Sequence, residues 1–181
     1  LKLQKNILDF NDLEHLTLKL LSDNDTKSDV AKEISEKYTE VMVDEYQDIN
    51  EVQNTIFKLI TKDESNLFMV GDVKQSIYKF RQSRPQIFLN KKNKYPLYSE
   101  NNISYPCKII LGKNFRSTSK IIDGINFIFE MLLSEKAGDI PYTEEEKLFC
   151  ATNSVTSDNP DISPKLIDVS KEKDKNIDLL E

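Results

Sequence analysis

The chain predicts an α/β fold of parallel strands flanked by helices, and three observations point there. Short apolar runs at Val41–Val43, Leu67–Val70 and Lys108–Leu111 each stop abruptly on polar or glycine residues. Bounded aliphatic runs of this kind fit strands covered on both faces, as parallel sheets are. Stretches with apolar residues at helical spacing lie between and after them.

The helical segments follow in order. Leu1 to Leu21 carries Leu3, Ile7, Leu8, Phe10, Leu13, Leu16, Leu20 and Leu21 at a helical period broken near Asp9–Asp12, so Asn11 or Asp12 is expected to cap a second helix. The lone histidine, His15, reads as a helix-face residue. Ser28 is placed to cap a short helix running to Tyr38. Asn50 opens another, with Gln53 positioned for a reciprocal cap and Val52, Ile56, Leu59 and Ile60 on its apolar side. Pro85 to Tyr95 predicts a helix with Ile87, Phe88 and Tyr95 inward. Pro96 to Pro106, rich in Asn, Ser, Tyr and Pro, reads as a connector between residues 1–95 and 107–181. A helix over about Thr118–Leu133 follows the third strand. A further strand is expected at Lys165–Val169.

The strand ends carry the chemistry. Ligands of open α/β sheets bind outside the carboxyl ends of strands. Asp44 and Glu45 follow the first run, Asp48 comes one turn later, and Asp72 follows the second. Such acids either cap the next helix or serve a magnesium nucleotide. In the second case one carboxylate holds the hydrated metal, the part for Asp44, while its neighbour Glu45 orients or deprotonates the attacking water. Gln75 follows the second strand closely enough to reach a phosphate. Tyr78 and Phe80 alternate with Lys79 and Arg81, so an extended backbone would set both rings on one face, as a stacking platform for a single strand or as a core-facing segment. Arg116 and Phe115, between the third strand and its helix, are either local structural residues or groups that reach a phosphate and stack on a base.

Composition narrows the partners. The net charge of −6 argues against bulk electrostatic binding of nucleic acid. Between Val73 and Ser99, however, there is no acid, while Lys74, Lys79, Arg81, Arg84, Lys91, Lys92 and Lys94 all fall there. Cys107 and Cys150 lack metal-ligand spacing and fit a reduced, cytoplasmic setting. No apolar run reaches the length of a membrane span. The opening on Leu1 suggests an excised segment.

In this order, DEYQD at Asp44–Asp48, VGDVKQSIYKFR at Val70–Arg81 and NFRS at Asn114–Ser117 resemble the second, third and fourth motifs of superfamily 1A helicases of the UvrD/Rep type. DFNDL at Asp9–Leu13 is similar to the element preceding the second motif. SRPQIFLNKKNKY and the text after NFRS resemble the AddA branch of helicase-nucleases. The resemblance implies a P-loop, RecA-like motor cut into two parts: residues 1–95 from the end of the first domain, and residues 107–181 from the start of the second. It implies ATP and Mg2+ as cofactors, with Asp44 on the metal, Glu45 as base, Gln75 sensing the γ-phosphate, Arg116 as the finger on it, and Phe115 on adenine. It places Tyr78, Phe80 and Arg81 along single-stranded DNA. It further implies 3′ to 5′ unwinding in double-strand break repair and recombination, DNA ends as substrate, and an AddB-type partner.

The glycines Gly71, Gly112, Gly124 and Gly138 nowhere form GxxxxGK[ST], so the segment alone is expected not to hydrolyse ATP. Two other classes stand beside the motor. One is a non-catalytic module binding single-stranded DNA or a partner. The other is a metal nuclease built from Asp44, Glu45, Asp48 and Asp72.

Overall fold

The computed structural model describes residues 2–24, 26–102, 104–133 and 142–151. The chain divides into two compact units, Leu1–Ile110 and Leu111–Glu181. Residues 96–106 fall within the first.

The first unit begins with helices α1, Lys2–Lys5, and α2, Phe10–Leu21. Asp9 caps α2, not Asn11 or Asp12. Its Oδ1 accepts from Asp12 N at 2.9 Å and Asp12 Oδ2 accepts from Asp9 N at 3.0 Å. Asp12 is thus the third helical residue, completing the capping box from inside. The apolar stripe of this segment is open. Ile7, Leu8, Phe10, Leu13, Leu16 and Leu20 are exposed, and Leu21 is buried. His15 is exposed on α2.

Strands β1, Ser22–Asp23, and β2, Thr26–Lys27, form a small antiparallel pair. Helix α3, Asp29–Lys37, starts at the expected cap, where Ser28 Oγ accepts from Ala31 N at 3.2 Å. Strand β3, Val41–Val43, leads through a single 3-10 turn, Tyr46–Asp48, into α4, Glu51–Ile60. The expected reciprocal cap of α4 is present: Gln53 N donates to Asn50 Oδ1 at 2.8 Å and Asn50 N donates to Gln53 Oε1 at 3.2 Å. Val52, Ile56, Leu59 and Ile60 are half-buried. Glu14 of α2 accepts from Asn50 Nδ2 at 2.9 Å and Gln53 Nε2 at 2.7 Å, tying α2 to the start of α4.

Strand β4, Leu67–Met69, pairs in parallel with β3, with Val41, Met42 and Val43 opposite Leu67, Phe68 and Met69. These strands are not covered on both faces. Met42 and Phe68, partners in register, are 69% and 56% exposed, while their neighbours are half-buried. Successive side chains alternate between faces, so Met42 and Phe68 share the face that the described residues leave open. Helix α5, Pro85–Lys94, starts on proline, whose fixed φ suits the first helical turn. The core sits around Tyr46, which is fully buried, with its ring 6.1 Å from that of Phe57 on α4 and 5.8 Å from that of Phe88 on α5.

The third strand lies later than expected. Lys108 makes an isolated parallel bridge to Leu97, and Ile109 and Leu111 are exposed. In the second unit, β5 is Lys113–Asn114, followed by α6, Ser119–Leu132, and β6, Phe149–Cys150, which pairs with β5 in parallel. Partnership rather than apolar content sets this strand: Phe149 N donates to Gly112 O at 2.7 Å and Ala151 N to Asn114 O at 2.9 Å. Asn126 binds α6 to the approach to β6, donating to Leu148 O at 2.9 Å and accepting from Leu148 N at 3.2 Å. The strand expected at Lys165–Val169 lies outside the described residues.

Candidate active site

Because β3 and β4 run parallel, their carboxyl ends emerge on the same edge, and the candidate acids leave from there. Asp44 follows β3 directly, its Oδ1 accepting from Glu45 N at 2.9 Å. Glu45 has φ 51° and ψ 40°, the left-handed region. For a residue with a side chain this costs on the order of 1–3 kcal/mol and persists only where its surroundings enforce it. The enforcement is visible. Val70 N donates to Val43 O and Tyr46 N to Val70 O, both at 2.9 Å, so β4 grips the chain on both sides of Asp44 and Glu45.

Gln47 sits beneath Glu45 and is 1% exposed. Its Nε2 donates to Glu45 Oε2 at 2.6 Å and to Asp48 Oδ2 at 3.3 Å, while its Oε1 accepts from Asp72 N at 3.0 Å. The reversed amide would put nitrogen against N–H and oxygen against carboxylates, so the orientation is fixed by its neighbours. Asp72 continues the chain of contacts. Its Oδ2 accepts from Gln75 Nε2 at 3.0 Å, and its Oδ1 pairs with the largely buried Lys74 Nζ at 2.8 Å. Asp72 also caps the short turn Val73–Gln75 by accepting from Lys74 N at 3.1 Å. Glu45, Gln47, Asp72 and Gln75 thus form one connected array.

The two other carboxylates are tuned in opposite directions. Burial works against ionisation of Asp72, but hydrogen bonds and charge from Lys74, with help from Gln75, hold it below the usual aspartate range. Burial, then the charge of Glu45, pushes Asp48 above that range, with hydrogen bonds from Gln47 and Ser76 opposing. Asp48 Oδ1, Ser76 Oγ and Ser83 Oγ are buried.

Tyr78 and Phe80 are neighbours, but not on an extended backbone. Lys79–Arg81 form a 3-10 turn that brings the two rings to 5.9 Å and folds the Arg81 guanidinium over both, 5.4 Å from Tyr78 and 5.6 Å from Phe80. Phe80 is 76% exposed, so the described residues do not take that ring into a core. Phe115 and Arg116 belong to the second unit, just past β5, and both are exposed. The backbone there is set by Asn114 Oδ1, which accepts from Arg116 N at 2.9 Å and Ser117 N at 2.8 Å.

Asp44 is exposed and has no ion-pair partner among the described residues. A single open carboxylate fits magnesium carried in with a nucleotide, since that ion keeps its waters and takes one or two protein carboxylates plus phosphate oxygens. A protein-only metal cage is another matter: among the described residues no group of three or more His, Cys, Asp or Glu is arranged to hold a metal. Gln47 was not singled out from the sequence, and Lys74 only as one cation of the basic tract. The available signal was a neutral amide set between two acids at Glu45 and Asp48, and a lysine two residues after Asp72.

Residues 1–96 match the UvrD/REP helicase N-terminal domain. The chain belongs to the UvrD/Rep helicase family. Within it, the chain is 52% identical over 155 residues, 81% of its length, to the A component of the ATP-dependent helicase/nuclease of Clostridium beijerinckii, and covers 12% of that relative. It is 43% identical to the protein of that name in Listeria welshimeri, with 99% of the chain and 14% of the relative covered. For Clostridium botulinum the figures are 44%, 97% and 15%. This UvrD/Rep-type chain therefore falls among the A components of helicase/nucleases and spans a small part of the length of each. No helix among its described residues is long and apolar enough to cross a membrane.

Proposed function

We propose that this chain is the segment of an ATP-driven, AddA-type DNA helicase that carries the hydrolytic acids, the γ-phosphate sensor and the beginning of the second motor domain. The observation that supports it most is the array Glu45–Gln47–Asp72–Gln75, in which a carboxylate at one strand tip is joined by hydrogen bonds to an amide beyond the next. A motor needs that linkage, because cleavage of the nucleotide does work only if the groups around the phosphate are tied to the segment that holds DNA.

In this assignment Glu45 accepts the proton of the attacking water, and Gln75 aims its amide at the γ-phosphate. Asp44 contributes an oxygen to Mg2+, which when bound with ATP neutralises charge on the β- and γ-phosphates. Phe115 stacks on adenine. Arg116 brings positive charge to the γ-phosphate, the role in which a guanidinium's fixed charge counts most. Tyr78, Phe80 and Arg81 line the single-stranded DNA path, and Gln75 lies three residues before them. The whole protein then moves 3′ to 5′ from DNA ends in break repair and recombination, in the cytoplasm and with an AddB-type partner. Residues 1–95 are the end of one RecA-like domain and residues 107–181 the start of the next.

The test is Glu45→Gln in the full-length protein, since the segment itself has no phosphate-cradling loop. ATPase and unwinding should collapse while single-stranded DNA binding survives. Undiminished unwinding would remove Glu45 as the base. The stacked Tyr78, Phe80 and Arg81 also favour a second reading, a strand-binding module without catalysis. Full-length protein that binds single-stranded DNA with no DNA-stimulated ATPase would support it instead.

A further inference from the structure

We propose that Gln47 is a positioning residue that acts through Glu45, holding the carboxylate in its working orientation and joining it to the β4 edge at Asp72. The inference rests on Glu45 being the base, and deepens that assignment.

Gln47 is buried, and every polar group of its side chain is engaged: both carboxylates beside it accept from Nε2, and a backbone N–H from the neighbouring strand's exit donates to Oε1. The shortest of these contacts, 2.6 Å, is to Glu45. Glu45 itself is on exposed, left-handed backbone, where its side chain would otherwise be free to sample other rotamers. The only hydrogen bond drawn to its carboxylate among the described residues is the one from Gln47. Space beside Gln47 is closed as well. A Cβ on Gly71 would lie 2.7 Å from Gln47 Oε1 and 3.3 Å from Gln47 N, so the glycine two residues beyond β4 leaves room for the amide there. A base must be held within a fraction of an ångström of the water it serves, and its supporting partner fixes that distance.

The experiment uses the full-length protein with ATP, single-stranded DNA and four variants: Gln47→Met, Gln47→Glu, Glu45→Gln, and Gln47→Met combined with Glu45→Gln. Gln47→Met keeps the volume and removes the amide. Gln47→Glu keeps an oxygen for Asp72 N but replaces the donor to Glu45 with a carboxylate. Both should lower kcat roughly tenfold to a hundredfold with KM for ATP and Kd for DNA unchanged. In the Glu45→Gln background, Gln47→Met should cost nothing further, because the group through which it acts is already gone.

Turnover within twofold of wild type in both single variants would overturn the inference. So would an equal fractional loss with and without Glu45, the mark of a purely structural role; a fall in Tm accompanied by matching losses in KM and DNA affinity would have the same meaning. If Glu45→Gln alone retains full ATPase, the assignment of the base has failed rather than the inference about Gln47.

Discussion

Gln47 Nε2 lies 2.6 Å from Glu45 Oε2, a contact between residues two apart that the 3-10 turn after β3 makes possible. In a strand these side chains would share a face about 7 Å apart, and on a helix they would point in different directions. The left-handed backbone at Glu45 folds one over the other. The same turn sends Gln47 inward to the amide of Asp72, so the carboxylate and the neighbouring strand are gripped by one side chain.

Gly71→Ala should disturb this grip. Its new methyl would lie 2.7 Å from Gln47 Oε1 and 3.0 Å from Phe88 Cε1, so the Gln47 amide must shift and the Phe88 ring must give by a few tenths of an ångström. We expect lower ATPase turnover in the full-length protein and a lower Tm. Wild-type turnover at an unchanged Tm would mean that Gln47 and Phe88 yield freely.

Asp48→Asn should stabilise the chain at neutral pH. Because burial and the charge of Glu45 raise Asp48 in the folded state, the fold binds a proton there that the unfolded chain has released. Its contribution is present at acid pH and is lost as pH rises through the raised value. Asp72, held low, contributes in the opposite sense, and its share is lost as pH falls through its lowered value. Thermal melts from about pH 4 to pH 8 should show the wild type losing ground to Asp48→Asn as pH rises. At neutral pH the variant should melt above the wild type, because a neutral amide bears neither the desolvation of the charge nor its repulsion by Glu45. A constant offset at every pH would contradict it.

Tyr46→Phe should cost about 1–3 kcal/mol. The ring and its contacts with Phe57 and Phe88 remain, but the hydroxyl that donates to buried Asn54 Oδ1 at 3.0 Å is lost. Denaturant unfolding of the chain measures it, and no shift in midpoint would show that Asn54 finds another donor.

Phe80→Ala should weaken single-stranded DNA binding by about 1–3 kcal/mol, the usual worth of one base stack. The exposed ring contributes little to folding, so Tm should hold. Fluorescence anisotropy with a labelled oligonucleotide reads the affinity, and unchanged binding would take Phe80 off the DNA path.

What the sequence determined on its own was local. Ser28 and Asn50 with Gln53 cap helices because each bond spans three residues. Asp44 and Glu45 stand at a strand end because apolar residues stop at Val43. Family membership followed from motifs readable as short strings. The tertiary structure decided the rest. Residues 25 apart meet at Gln47 and Asp72 only because β3 and β4 pair in parallel and in register. Which face of those strands stays open depends on what packs there, and the strand at Lys113–Asn114 exists because Phe149–Cys150 offers it a partner. Helix caps are closed by neighbours along the chain; strands and buried amides are completed by groups that only folding brings near.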